Sequence, residues 1–514
     1  MLAKRITLLA LVVAATLSSS AQDNTQPPNL QSALSKLDVY IRQAMNRTRV
    51  PGLAVAVVYR DQVVFAEGYG VRKVDEAAKV DPNTVFDLAS VSKPISSTIV
   101  AALVGDGVVD WDDRIVELDP NFRLADATAT TQVTIRDMFA HRSGLPTGAG
   151  DVLEDLGYSR PEILERIRFI PLAGEFRTTY HYSNFGLTEG AIAAAKKAGK
   201  TWEEIAHERL FSRLGMTSTS ARYSDYENNP NKAALHVLED GQWRNRFVRE
   251  ADSEAPAGGV SSNVRDLAQW LRLQLANGAW GGQQVVSSTA LAETHKGQIC
   301  RSVLGPVAAG QCPRNEFYGL GWNVNTDERG NKQLSHSGAF LLGTGTSVYL
   351  SPSEQLGIVV LTNGTPIGLP ESVSLSFLDF FRYGAARTDY LTAVRPVFNS
   401  LEEEAQNSSP NYSEMKPPQN ASPAKPLKVY AGNYSSQLYG TLEIRVERDR
   451  LVLRLPPRGA YYELTHWDGD TFTYYFASEN TGIARRGVKF SSDAKQVVIQ
   501  NLAIENNGVF IRTE

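Results

Sequence analysis

The sequence is short of cysteine, of excess charge and of long apolar runs, and each shortage excludes a class of protein. Only two of 514 residues are cysteine, Cys300 and Cys312. No compatible histidine and cysteine cluster accompanies them, so a thiolate zinc site is not expected. His207-Glu208 opens like a zinc-protease helix, but position 211 is Phe where the second histidine would stand. The formal net charge is −4, which gives no electrostatic footprint for nucleic acid. Beyond the first 21 residues no run is long and apolar enough to cross a bilayer. No Gly-x-Ser-x-Gly elbow occurs, which argues against the nucleophile of an α/β-hydrolase. No cofactor and no metal are expected.

What is present begins with a leader. Lys4-Arg5 precedes an apolar run over residues 6–17, and Ser19-Ser20-Ala21 stands before Gln22. This pattern reads as a secretory signal over residues 1–21, too short for a span, and places the mature chain outside the cytoplasm, secreted or periplasmic. No cysteine near the cleavage region offers a lipid attachment point. In an oxidising compartment Cys300 and Cys312 are expected to pair across a Gly/Pro/Ala loop.

The fold class reads as α+β. Leu34, Leu37, Ile41 and Met45 have helical spacing. Alternating apolar runs at 53–59 and 63–71 form a hairpin around Arg60-Asp61-Gln62. Helices are expected at 95–104, 187–198, 202–214, 264–276 and 369–383. Strands are expected at 318–325, 332–337, 344–350 and 357–362. The plan is a mixed antiparallel sheet flanked by helices, with a helical insertion. Residues 32–395 form the main domain. Residues 396–426, rich in Pro, Asn, Ser and Glu, read as a linker. From 427 to 514 the period changes to two: Leu442, Ile444 and Val446 alternate with Glu443, Arg445 and Glu447. That tail reads as a small antiparallel barrel or sandwich, its interior filled by side chains.

Three short motifs carry the chemistry: Ser90-Val91-Ser92-Lys93, Tyr182-Ser183-Asn184 and His336-Ser337-Gly338. Ser-x-x-Lys also occurs at Ser413/Lys416, Ser422/Lys425 and Ser492/Lys495, and Tyr-x-Asn at Tyr226-Glu227-Asn228. Context separates them. Ser90 stands between an extended run and an apolar helix, near a helix N-terminus that favours a developing anion. Lys93 lies one turn on, on the same face. A serine needs a neighbouring base before it attacks. The copies lie in the Pro/Asn/Ser-rich stretch or the strand-rich tail.

The chain resembles the serine β-lactamases and penicillin-binding proteins, most closely the class C-like serine hydrolases. The resemblance covers residues 34–384. It rests on Val50-Pro51-Gly52, on Phe86-Asp87-Leu88-Ala89-Ser90-Val91-Ser92-Lys93, and on His141-Arg142-Ser143-Gly144-Leu145-Pro146. Tyr182-Ser183-Asn184, Ala257-Gly258-Gly259-Val260 and His336-Ser337-Gly338 follow in family order. The tail is similar to the lipocalin-like domain of some relatives. The resemblance implies an acyl-enzyme on Ser90, with Lys93 and Tyr182 as catalytic partners. A cation beside Tyr182 is expected to lower its pKa, and burial to lower that of Lys93. Asn184 would orient Lys93 and the substrate amide. The backbone N–H groups of Ser90 and Ala339, the latter just after Gly338, would form the oxyanion hole. His141 is read as structural, Trp322 as core.

Two departures stand out. Pro94 directly follows Lys93, which points to an irregular helix start. His336 stands where most of the family carries lysine. An unperturbed histidine, with a pKa of about 6.5, is mostly neutral at pH 7 and holds a carboxylate weakly. The expected order of activities is therefore hydrolysis of peptide or D-amino-acyl amide bonds, then carboxylester cleavage, then β-lactam hydrolysis. A different class is a sensor that binds penicillin or cell-wall peptide and turns over slowly. The partner is a small-molecule or peptide substrate; the sequence leaves the oligomeric state open. Removal of the tail is expected to leave Ser90 reactive.

Overall fold

The computed structural model describes residues 30–301, 316–407, 409–480, 482–505 and 508–513. The leader and Cys312 lie outside the described residues, and so does the pairing expected of Cys312 with Cys300.

The main body is built on one antiparallel sheet. Its strands are β1 (Gly52–Tyr59), β2 (Gln62–Gly70), β3 (Ile299–Cys300), β4 (Phe317–Tyr318), β5 (Asn323–Thr326), β6 (Lys332–Phe340), β7 (Thr344–Ser351) and β8 (Leu356–Thr362). They lie in the order β2-β1-β8-β7-β6-β5-β4-β3. The hairpin read around Arg60-Asp61-Gln62 is β1 and β2, with Arg60 and Asp61 at positive φ in its turn. Because side chains alternate along a strand, β1 serves two cores. Ala54, Ala56 and Val58 join one, and Leu53, Val55 and Val57 the other. The alternation expected at 53–59 is therefore absent: both faces of β1 are buried, and its sequence is apolar throughout.

Helix α1 (Leu30–Thr48) buries Leu34, Leu37, Ile41 and Ala44 on one face of the sheet, beside the helix Leu369–Tyr383. The other face receives α2 (Ser92–Gly105) and the helix Val264–Leu275. The helical insertion lies between β2 and β3 and includes Asp151–Leu156 and Asn184–Lys197.

Several expected elements are interrupted. The strand predicted at 318–325 is two strands, β4 and β5, separated where Gly321 takes φ 77°. A side chain at Gly321 would stand 2.8 Å from the Lys93 carbonyl, so the turn is shaped by its approach to α2. The helix predicted at 202–214 passes through a π-helical stretch, His207–Phe211. The stretch read as a linker starts as helix Tyr390–Gln406, which buries Leu391, Val394 and Phe398.

The tail is a closed barrel of eight antiparallel strands. Closure leaves no unpaired edge. The positions that alternate inward are buried: Leu442 and Ile444, Leu451 and Leu453, Phe472, Tyr474 and Phe476. Side chains therefore fill the interior.

Candidate active site

The start of α2 holds Ser90, the candidate nucleophile. Phe86–Asp87 pairs with Ser261–Ser262, and the chain turns sharply at Ala89, whose φ is 47°. An alanine at positive φ is strained, and strain of this kind persists only where the surroundings over-determine it. Here Thr346 donates to the Leu88 carbonyl at 2.7 Å, and the Leu88 N–H donates to Val260 O at 2.9 Å. Ala89–Val91 is a 3₁₀ turn that leads directly into α2, which is the irregular start that Pro94 foretells.

Lys93 is fully buried and meets three groups. Its Nζ lies 2.9 Å from Ser90 Oγ, 2.7 Å from Asn184 Oδ1 and 2.9 Å from Ala257 O. Asn184 is the first residue of its helix, capped by Ser183, whose hydroxyl accepts the Gly186 N–H. The Ala257 carbonyl is fixed by α2 itself. Ser92 Oγ accepts from Val260 N at 3.0 Å and Ser96 donates to Pro256 O at 2.6 Å. Tyr182 completes the group: its hydroxyl donates to Ser90 Oγ at 2.7 Å, and Lys93 Nζ lies 4.5 Å from its ring centroid.

Burial lowers the Lys93 pKa to about 7, against the pull of Glu254, Asp151 and Glu154, which favour the charged form. Neutral and charged lysine are then comparably populated near pH 7. Burial also pushes the Tyr182 phenol well above its usual value. This overturns the expectation of a lowered tyrosine: desolvation of the phenolate outweighs the hydrogen bond with Ser90, which pulls the other way. Tyr182 keeps its proton, and Lys93 is the group able to accept one.

His336 lies on β6 but both its nitrogens are occupied. Nδ1 meets Ser337 O at 2.7 Å and Nε2 meets the Tyr318 hydroxyl at 3.0 Å. Burial holds its pKa at about 3, so the ring is neutral. With a proton on Nδ1 for the carbonyl, Nε2 accepts from Tyr318. His336 sits 6.5 Å from Tyr182, ring to ring, and shares no hydrogen bond with it. Tyr318→Phe should leave Nε2 without a donor and lower stability by about 1–3 kcal/mol, read as a urea midpoint shift. An unchanged midpoint would remove this bond from the account.

Among the described residues, β6 from His336 onward is paired only with β7, because its pairing with β5 ends at Ser335. Gly338 lies against the nucleophile turn. A Cβ there would stand 2.2 Å from Leu88 O, 2.2 Å from Thr346 Oγ1 and 3.1 Å from Ser90 N. The close approach brings the Gly338–Ala339 backbone beside the Ser90 amide.

Two contributors, Asp151 and Tyr318, escaped the sequence reading, and His141 does more than was read for it. Asp151 accepts from Asn184 Nδ2 at 3.3 and 3.4 Å through its two oxygens. Tyr318 holds His336. His141 is buried as expected, but its ring also packs 4.5 Å from that of Tyr182, and its Nδ1 accepts from Ser183 N at 3.2 Å. The motif Ala257-Gly258-Gly259-Val260 signalled its own segment; no local pattern marks Asp151. Trp322 is core, stacked on Trp270 at 5.6 Å, and Phe185 is core too. Phe340 is buried, with the Arg249 guanidinium 4.7 Å from its centroid. Among the described residues no cluster of metal-binding side chains occurs.

The beta-lactamase family model matches residues 37–372. The chain belongs to the beta-lactamase family. A second model, a domain of unknown function (DUF3471), matches residues 416–502. Among beta-lactamase relatives, the unguisins hydrolase ungD of Aspergillus violaceofuscus is 25% identical over 88% of this chain and 84% of its own length. Protein flp of Staphylococcus aureus is 22% identical over 64% of this chain and 62% of its own. The octameric penicillin-binding protein homologue from Pyrococcus abyssi shares the fold. It has a TM-score of 0.57 and 20% identity, and covers 93% of this chain and 100% of that one. No helix among the described residues is long and apolar enough to cross a membrane.

Proposed function

We propose that this beta-lactamase-family chain is an exported serine hydrolase that works through an acyl-enzyme on Ser90, acting on peptide or D-amino-acyl amide bonds. The observation that carries it is Ser90 Oγ held 2.9 Å from a buried, pKa-lowered lysine and 2.7 Å from a protonated tyrosine. Neutral Lys93 has two N–H groups for Asn184 Oδ1 and Ala257 O, which leaves its lone pair for the Ser90 proton. Ser90 Oγ attacks the carbonyl carbon and its proton passes to Lys93. The oxyanion is met by the Ser90 and Ala339 amides. The leaving amine takes a proton from Tyr182, which is replenished from Lys93; water then cleaves the ester by the reverse path. The edge of β6 after Ser335, which has no strand partner among the described residues, supports an extended peptide backbone as substrate. In the same proposal residues 1–21 are the export signal, Cys300 and Cys312 pair, and the main domain extends through the helix Tyr390–Gln406 before the connection to the barrel.

A second reading, carboxylester cleavage, is favoured by one observation: His336 is neutral and occupied, so it offers no anchor for a substrate carboxylate. The test is hydrolysis of D-alanine p-nitroanilide and p-nitrophenyl butyrate, each against the Ser90→Ala protein. Ser90-dependent turnover of the anilide supports the amide reading. Turnover of the ester alone puts esterase first. A stoichiometric burst without turnover would identify a sensor.

A further inference from the structure

Among its contacts with the main body, the barrel meets two segments that lead to the site, residues 150–155 and the turn after Phe340. Glu505 follows the last 3₁₀ turn of the barrel, and its Oε1 accepts from Gly150 N at 2.9 Å and Val152 N at 3.0 Å. Asn480, in a barrel turn, donates to the Asp151 carbonyl at 3.1 Å. The backbone amides of Glu479 and Asn480 donate to Asp155 at 3.2 and 3.3 Å. The Glu479 carboxylate then accepts from Leu341 N at 2.5 Å and Leu342 N at 3.1 Å, in the turn that follows Ala339 and Phe340.

We propose that the barrel is a working part of the site: Glu505 and Asn480 hold residues 150–152 so that Asp151 positions Asn184 and, through it, Lys93, while Glu479 holds the turn behind Ala339. The inference rests on the Ser90 acyl-enzyme reading. Each link is a hydrogen bond. Residues 150–152 are fixed from the barrel side, and the Asp151 carboxyl receives Asn184 Nδ2. That turns Asn184 Oδ1 toward Lys93 Nζ, 2.7 Å away. Gly150 takes φ 95°, and a side chain there would press on the ring of Phe185 at 2.7 Å. The segment therefore has little room to find another conformation. None of the three barrel residues touches Ser90, so they are positioning residues. Under this proposal a chain without its tail loses reactivity at Ser90, the opposite of what the sequence led us to expect.

The two carboxyl groups differ in a way that sharpens the test. Both amides on Glu505 go to one oxygen, and burial raises its pKa to about 8, so glutamine reproduces its neutral form. Glu479 uses both oxygens and its pKa is raised only to about 6, so glutamine serves one amide of the two.

The experiment uses the full chain and p-nitrophenyl butyrate. Glu505→Ala and Asn480→Ala should each lower kcat about 10- to 100-fold, the cost of a misplaced catalytic group, with KM changed less than about threefold. They should also displace the pH limb set by Lys93, which Asp151, Glu154, Glu254, His141, His336 and Tyr182 surround. Glu505→Gln should recover the rate to within about threefold, and Glu479→Gln should fall between wild type and Glu479→Ala. Tyr158 donates to Tyr439 O at 2.6 Å elsewhere on the same interface. Tyr158→Phe should leave kcat within about twofold. If Glu505→Ala does not fold, Asn480→Ala carries the same expectation with both carboxyl groups in place. Wild-type kcat in both alanine variants, or equal damage from Tyr158→Phe, overturns the proposal. Hydrolysis that persists in Ser90→Ala would instead remove the hydrolase reading itself.

Discussion

Ser90→Ala and Lys93→Met are each expected to reduce turnover by roughly 10⁴-fold or more, and the double variant no further than either alone. Residues that act as one unit behave in this non-additive way. The unit here is defined by geometry. Ser90 Oγ has two neighbours able to exchange a proton, Lys93 and Tyr182, and only Lys93 has its pKa brought near neutrality. Methionine matches the side chain in length but leaves Asn184 Oδ1 and Ala257 O without their donor, a cost of about 1–3 kcal/mol, so stability is measured beside the rates. Lys93→Arg should be as inactive as Lys93→Met, because a guanidinium does not give up its proton. Single-turnover acylation compared with unfolding midpoints separates catalysis from stability. A double variant far below both singles would mean that Ser90 and Lys93 act independently.

The same geometry fixes a pH dependence. Lys93 must be neutral to accept the Ser90 proton, so acylation should rise with pH through about 7 and then level. Below that pH the ammonium donates to all three neighbours and has no lone pair. Tyr182 adds no falling limb near neutrality, since burial keeps its phenol protonated well above the usual range. The observed limb belongs to the buried group as a whole, because the charges of Glu254, Asp151 and Glu154 act on Lys93. A rate that falls across pH 6–8 would exclude Lys93 as the base.

How much of this was legible in the sequence depends on the range of each interaction. The Ser90–Lys93 contact spans one helical turn, and spacing alone brings the two together. The hairpin β1–β2 and the tail were equally local: a tight turn at Arg60-Asp61 joins two adjacent runs, and the tail keeps a period of two. The joining of Ser90, Tyr182 and Gly338 crosses long stretches of chain and was legible only through family motifs. Asp151 had no motif, and its role depends on Asn184 and on barrel residues more than 300 positions away. The direction of the Tyr182 shift was misread because sequence reveals a neighbouring charge but not the depth of burial. His336 was recognised as unusual, yet its occupation by Tyr318 depends on the register that sets β4 beyond β5.

Gly338→Val is expected to lower kcat by about 100- to 1000-fold, the range seen when one oxyanion donor is lost. Gly338 has ordinary strand geometry, so the demand for glycine is one of space. Any Cβ would meet Leu88 O and Thr346 Oγ1 at 2.2 Å, both well inside contact distance. The Leu88 carbonyl cannot retreat without breaking its bond from Thr346 or moving the strained turn at Ala89. Relief must therefore come from displacing β6, which carries the Ala339 amide away from the Ser90 amide. Overpacking of this kind also costs about 1–3 kcal/mol of stability. The signature is a large fall in kcat for both the anilide and the ester with little change in KM, since the oxyanion forms only after binding. Thr346→Ser in the same background keeps the bond to Leu88 O and removes only a methyl group, so it should rescue little. Thr346→Gly removes one of the two clashes and should recover part of the rate. A Gly338→Val enzyme with wild-type kcat would show that the approach of β6 to the nucleophile turn is not what builds the oxyanion hole.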